Sequence, residues 1–219
     1  RRSLFERLVA MGIEPMLLNT QYRMHPAISL FPNERFYKGK LIDGVEASER
    51  PNPAGLLWND WEVPIVFLPV EGGETTSPDG ASKENHAEAG WIARLLEGLL
   101  DAGDLQSEDI GIITPYAGQV RAIRDALPER YDSVEVRTVD GYQGREKDVI
   151  LFSCVRSNQD GNVGFLSDPR RLNVALTRAR RGLVVIGDPN TLRNDEVWAA
   201  WLAHIRSRNL EAWHILGMA

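Results

Sequence analysis

The sequence predicts an α/β chain built on a mostly parallel sheet with helices on both faces. Three observations carry that expectation. Short apolar runs rich in Val and Ile alternate with longer stretches of helical periodicity, the pattern of strands joined by crossover helices. Three polar clusters stand directly after apolar runs: TPYAGQ (114–119), TVDGYQGREKD (138–148) and Gly187-Asp188-Pro189. In a doubly wound sheet, ligand groups collect at the ends of strands in this way. Finally, 219 residues at 43% hydrophobic suffice for one domain with a full core.

The elements follow in order. PMLLN (15–19) reads as a strand, followed by a turn and a helix over Pro26–Phe36, and VPIVFLPV (63–70) as a second strand. EGGETTSPDGAS (71–82) has the composition of an exposed, mobile loop. Over 83–102, Ala87, Trp91, Leu95 and Leu99 recur every four positions and mark an amphipathic helix. IGIIT (110–114) is a buried strand, 117–127 a helix, and 134–139 and 148–155 strands around a short polar turn. Asp168 is a good N-cap and Pro169 suits the first helical position, so a helix is expected there. Its apolar face would be Leu172, Ala175, Leu176 and Ala179, with Gly182 as its stop. A strand over 183–189 and a helix over 195–207 close the chain.

Composition excludes several function classes. No run of about 18 apolar residues suggests a membrane span, and no secretion leader opens the chain. The first residues, Arg1-Arg2-Ser3, read as the interior of something longer. The single cysteine, Cys154, rules out an intramolecular disulfide, and with four scattered histidines it makes no familiar zinc site, so no metal ligands are assigned. The net charge of −6 speaks against nucleic acid, yet its distribution does not. Residues 1–40 carry a local +4 and 134–187 a local +3, around an acidic middle of −12. A phosphate-facing surface can be assembled from the two basic stretches, although a solvated mosaic explains them too.

The segment DPRRLNVALTRARRG (168–182) packs five arginines between Arg170 and Arg181. Other clusters carry chemistry as well. In QYRMHP (21–26), Tyr22 offers a stacking face and Arg23 a planar cation; the alternative is a core tyrosine and an arginine paired with a carboxylate. In TVDGYQGREKD, glycines permit close backbone approach and Glu146 can accept from a ribose hydroxyl, against a generic polar turn. In TPYAGQ, Thr114 stands where a helix N-terminus attracts phosphate, which a plain cap explains equally well. No G-x-x-x-x-G-K-[ST] loop is present, so the chain lacks the machinery to hydrolyse a nucleotide alone.

Taken in order, SLFERL (3–8), QYRMHPAIS (21–29), GIITPY (111–116), QGREKD (143–148), SCVRSN (153–158) and GFLSDPRRLNVALTRAR (164–180) resemble the second RecA-like motor domain of superfamily 1 helicases, most closely the up-frameshift RNA helicase family of nonsense-mediated decay. The resemblance runs from Ser3 to about Trp198 and is poor over 44–82. It implies that all 219 residues form one RecA-like motor half, with ATP and Mg2+ held mainly by a first RecA-like domain of the same protein. Tyr22 would stack on adenine, Arg23 and Arg178 would reach the γ-phosphate with Arg178 as arginine finger, and Glu146 would meet the ribose near Gly144. Thr114, Pro115, Thr138, Val139 and Asp140 would lie along single-stranded RNA, mainly touching its backbone. Arg156 and Arg171 read as structural pairs, and Arg180 and Arg181 as solvated residues at a helix C-terminus. The resemblance further implies a cytoplasmic 5′-to-3′ RNA helicase in contact with other mRNA decay factors. Two alternatives stay open: a DNA-acting or dual-specificity relative, and an RNA- or partner-binding module without turnover.

Overall fold

A computed structural model describes residues 4–212, which leaves Ser3 of the SLFERL motif outside the described residues. In chain order the elements are α1 (Leu4–Ala10), β1 (Thr20–Gln21), α2 (Pro26–Phe36), β2 (Ile42–Asp43), β3 (Ile65–Pro69), β4 (Thr75–Thr76), β5 (Lys83–Glu84), α3 (His86–Asp101), β6 (Ile110–Thr114), α4 (Ala117–Ala126), β7 (Glu135–Thr138), β8 (Lys147–Ser153), α5 (Pro169–Leu176), β9 (Ala179–Gly187), α6 (Pro189–Leu192) and α7 (Glu196–Ser207). The central sheet has the order β3-β9-β8-β6-β7, and every neighbouring pair is parallel. The α/β expectation holds.

Alternate side chains of each strand point to opposite faces, and both faces are buried, which is why the strands read as unbroken apolar runs. Phe67, Ile113, Phe152 and Val185 pack with Ile28 and Phe31 of α2, Leu172 and Leu176 of α5, and Trp198 and Trp201 of α7. Val66, Leu68, Ile112, Leu151 and Val184 pack with Ile92, Leu95 and Leu99 of α3 and Ile123 of α4. The α3 stripe is rotated from the expected one: Leu95 and Leu99 are buried with Ile92 and Leu96, whereas Ala87 is exposed.

Three expectations are corrected. Residues 15–19 form no strand; Met16 and Leu18 are almost fully exposed, and the backbone pairs only at β1, in parallel with β2. The segment 71–82 is not a free loop. Thr75–Thr76 pairs antiparallel with Lys83–Glu84, and Ser82 Oγ accepts from the Gly118 amide at the start of α4.

The third correction concerns the arginine-rich segment. Asp168 does cap α5, accepting from the Arg170 amide, but the helix ends at Leu176. Thr177 Oγ1 donates to the Asn173 carbonyl at 2.7 Å and Arg178 Nε to that of Val174 at 3.0 Å, satisfying carbonyls that a helix end leaves open. From Ala179 the chain is a strand, because Leu183–Ile186 must fill the slot between β3 and β8. Gly182 therefore stops no helix. A Cβ there would lie 2.9 Å from Trp58 and 3.0 Å from Pro53, so the close packing of those rings requires glycine.

Parallel strands also constrain the link from β7 to β8, which must cross β6 and return to the opposite end of the sheet. Tyr142 is fully buried in that link, and its hydroxyl occupies the space above Gly111 of β6, 1.9 Å from where a Cβ would be. Gly111→Ala should therefore cost about 1–3 kcal/mol by overpacking. The loss should shrink in a Tyr142→Phe background, which removes a buried hydroxyl without a hydrogen-bond partner among the described residues. Urea unfolding of the two single variants and the double variant measures this; equal losses in both backgrounds would contradict it.

Candidate functional site

The expected site residues separate into two groups at opposite ends of the sheet. Arg178 directly precedes β9 and Glu146 directly precedes β8, so both stand at the N-terminal edge. Thr114 and Thr138 end β6 and β7 at the C-terminal edge. The notion that all polar clusters share the C-terminal edge is corrected accordingly: TVDGYQGREKD runs from one edge to the other.

At the N-terminal edge, Gln21 shapes the QYRMHP turn. Its amide oxygen accepts from the Arg23 and Met24 backbone amides at 3.0 and 2.8 Å, and its nitrogen donates to Asp43 at 2.6 Å. Arg50 donates to the Tyr22 and Arg23 carbonyls, each at 3.0 Å. Tyr22 is held from below, since its ring lies against Gly44, yet it is 68% exposed rather than part of the core. Arg23 donates from Nε to Glu146 and from Nη1 to the Thr177 carbonyl at 3.0 Å. The carboxylate-pair reading of Arg23 is thus correct, and it ties the expected ribose acceptor to a cation. That Arg23 contact holds the Glu146 carboxyl below its ordinary range. Gly144 has φ +78°, and a Cβ there would meet nothing, so backbone conformation rather than close approach requires glycine.

Arg178 is the unusual cation. Like Arg50 it is part-buried and is seen to bond neutral groups, here the carbonyls of Val174 and Arg145 and the hydroxyl of Thr177, but unlike Arg50 it stands beside another guanidinium. Burial, and then the neighbouring Arg23 charge, lower its pKa. Among the described residues no carboxylate forms an ion pair with it, whereas Arg180 reaches Asp148 at 3.7 Å and Arg181 reaches Asp104 at 2.7 Å. Arg180 and Arg181 lie on β9, not at a helix end, so their roles are strand-edge ion pairs. Arg23 and Arg178 are thus neighbouring guanidiniums of which only Arg23 is paired among the described residues, with Glu146, a local excess of positive charge suited to an anion.

At the C-terminal edge, Pro115, Thr138 and Asp140 line one hollow of about 350 Å³ with Arg171, Phe165 and Arg121. Thr114 and Val139 are buried, and the Val139 amide donates to the Thr114 carbonyl at 3.0 Å. Their side chains seat the neighbours and do not reach the surface, a correction to the expectation that all five line a strand. Arg171 and Arg156 are structural pairs, as expected: Arg171 with Asp140 at 2.9 Å and Arg156 with Glu74 at 2.6 Å.

Some residues carried no signal in the sequence. Arg50 acts on the QYRMHP turn from a segment with no recognisable pattern. Glu88 lies fully buried on α3, its carboxyl group accepting from the Val155 amide at 2.9 Å and bonded to Ser153 Oγ at 2.6 Å. Val155 is held at φ +72°, costly for a β-branched residue, in a tight turn that swings Arg156 toward Glu74. The Glu88 carboxyl thus anchors the hairpin of β4 and β5 through the backbone.

With that geometry in hand, comparison places the chain in a class. A family profile described as "AAA domain" matches residues 1–190, and the chain belongs to that family. Within it, the chain is similar to regulators of nonsense transcripts, as its motifs suggested. It is 46% identical to "Regulator of nonsense transcripts 1 homolog" of Neurospora crassa, over 94% of this chain and 20% of that protein. It is 44% identical to the Drosophila melanogaster homolog, over 95% and 18%. To "ATP-dependent helicase NAM7" of Saccharomyces cerevisiae it is 42% identical, over 95% and 22%. The chain spans about a fifth of the length of these relatives. No helix among the described residues is long and apolar enough to cross a membrane.

Glu88 generates a pH prediction. Burial first, then the charge of Asp188, push its carboxyl from 4.5 up to about 8. Between those values the unfolded carboxyl is ionised while the folded one keeps its proton, so the unfolded state binds fewer protons. Stability from this group therefore falls as pH rises through the window, by up to about 1.4 kcal/mol per pH unit. The stability difference between wild type and Glu88→Gln, from urea unfolding at pH 5 to 8, should follow that slope. A flat difference would show that Glu88 is ionised in the fold.

Proposed function

We propose that this chain is the second motor half of an ATP-dependent 5′-to-3′ RNA helicase acting in nonsense-mediated mRNA decay. The observation that carries the reading is Arg178, a part-buried guanidinium with no carboxylate partner among the described residues, beside Arg23 and the exposed Tyr22 ring. A flat face next to two cations fits a nucleotide: Tyr22 for the base, Arg23 and Arg178 for the phosphates, Glu146 and Gly144 toward the ribose. Names of the relatives, a regulator of nonsense transcripts and an ATP-dependent helicase, support the same class.

In this reading the first RecA-like domain of the same protein supplies the phosphate loop and the Mg2+ site. ATP bound between the two halves supplies the phosphoryl group whose hydrolysis drives movement. The residues of this chain orient and stabilise. Arg178 is mounted on the capped end of α5, so its guanidinium is fixed before the cleft closes and needs no reorganisation as charge develops on the transferring group. Pro115, Thr138 and Asp140 form part of the strand surface. Single-stranded RNA and other decay factors in the cytoplasm are the partners of the full-length protein.

The test is steady-state ATPase of the full-length protein at saturating RNA. Arg178→Ala should cut turnover by roughly 10³ or more while ATP affinity stays within a few-fold, because the cation acts on the barrier more than on the ground state. Arg178→Lys should rescue poorly, since a point charge cannot reproduce the planar fork. Arg170→Ala, an exposed cation already paired with Asp168, is the control and should be nearly silent. Near-normal turnover in Arg178→Ala would sink the finger assignment. Equal stimulation by DNA would favour a dual-specificity enzyme. The 219-residue chain alone should show no ATPase.

A further inference from the structure

Phe165 lies in a short 3-10 turn, Gly164–Ser167, and is 54% exposed, while its neighbour Leu166 is buried in the core. Exposure of a single aromatic side chain is ordinary; this one is built into place. Gly164 has φ +56°, and a Cβ there would sit 2.0 Å from Arg156 and 2.4 Å from the Tyr116 hydroxyl, so the turn is pressed onto both. The Phe165 amide donates to that hydroxyl at 3.2 Å. Trp198 Nε1 donates to the Leu166 carbonyl at 3.0 Å and fixes the far side of the turn. The ring itself is oriented by Tyr116, whose centroid is 5.3 Å away, and by the Arg171 guanidinium, 5.3 Å from the ring centre.

Phe165 lines the hollow that also contains Pro115, Thr138 and Asp140, and the hairpin of β4 and β5 walls its other side with Asp79 and Ser82. The cations of this hollow differ from Arg178. Arg171 is held by Asp140 at 2.9 Å and Arg121 by Asp79 at 2.6 Å, so neither offers an unpaired charge to phosphate. What remains is a rigid, flat, partly exposed π-face at the end of a strand surface. A neutral planar group suits it better than an anion does.

We propose that Phe165 is a stacking platform for one nucleobase of the bound single strand, with Arg171 and Tyr116 as the residues that position its ring. This rests on the strand-binding reading above and deepens it. Contact in this hollow would be with a base as well as with backbone, and it would be sequence-tolerant, since every base has a π-face.

The experiment uses the full-length protein and RNA oligonucleotides carrying a single 2-aminopurine moved along the strand. Fluorescence should be quenched at one position in wild type and in Phe165→Trp, and recovered in Phe165→Ala. Phe165→Ala should weaken RNA affinity roughly tenfold, within the range expected for one stacked base, and leave binding of a fluorescent ATP analogue unchanged. An abasic site at the quenched position should weaken wild type by the same factor and Phe165→Ala no further. Salt-sensitive RNA binding that Phe165→Ala leaves intact, or abasic and alanine effects that add, would overturn the platform while the strand-binding reading survives. Affinity unaffected in Phe165→Ala but lost for a protein partner would assign the ring to a protein interface instead. Absence of any single-strand binding by wild type would remove both.

Discussion

The parallel direction of the five central strands is the constraint on which the rest of the structure depends. Each strand must be re-entered from the same end, so every connection carries the chain back along the sheet. Between β7 and β8 this return is made by 139–146, a link short enough to lie directly on β6 with Tyr142 pressed over Gly111. One end of the link is Val139, bonded to Thr114 at the C-terminal edge of the sheet; the other is Glu146, bonded to Arg23 at the N-terminal edge. Both candidate surfaces therefore belong to one continuous, buried piece of backbone. The proposed coupling of a nucleotide to a nucleic-acid strand would run through this connection, which the packing of Tyr142 holds against β6.

The same parallel geometry explains where charge is left free. Most arginines in the 168–182 segment are used locally: Arg170 with Asp168, Arg171 with Asp140, Arg180 and Arg181 with carboxylates beside β9. The exposed pair Arg170–Asp168 contributes little to stability, about 0–1 kcal/mol, whereas the Arg181 pairs are largely buried. Arg178 falls at the junction between α5 and β9, where its Nε is spent on a helix carbonyl and no carboxylate forms an ion pair with it among the described residues. Helix capping and ligand readiness are thus two consequences of one position.

Beneath the C-terminal edge of the sheet, Glu88 plays the complementary part. Its buried carboxyl grips the Val155 amide, holds a strained turn and directs Arg156 into Glu74, which anchors the β4–β5 hairpin against the hollow. A buried polar network of this sort specifies one arrangement because every alternative leaves a group unsatisfied. The wall opposite Phe165 therefore depends on a side chain far inside the domain.

Much of this was legible in the sequence for reasons that are local. Apolar runs bounded by polar clusters gave the α/β class, because a strand buried on both faces admits few other residues. Asp168 and Pro169 marked the start of α5, because capping is decided by a handful of neighbouring atoms. Motif spelling marked Tyr22, Arg23, Glu146 and Arg178 and led to the family. Tertiary structure decided the rest. The end of α5 is not legible because Ala179 continues the apolar stripe of Leu172, Ala175 and Leu176; pairing with Lys147 of β8 makes it the first residue of β9 instead. The 71–82 segment looked mobile because its anchor, the Arg156–Glu74 pair, joins residues far apart in the chain. That Thr114 and Val139 are buried, that Arg178 pairs with no carboxylate among the described residues, and that Phe165 shares a hollow with Thr138 are facts about distances across the sheet. Sequence spacing records neighbours along the chain, whereas burial and charge pairing are settled by neighbours in space.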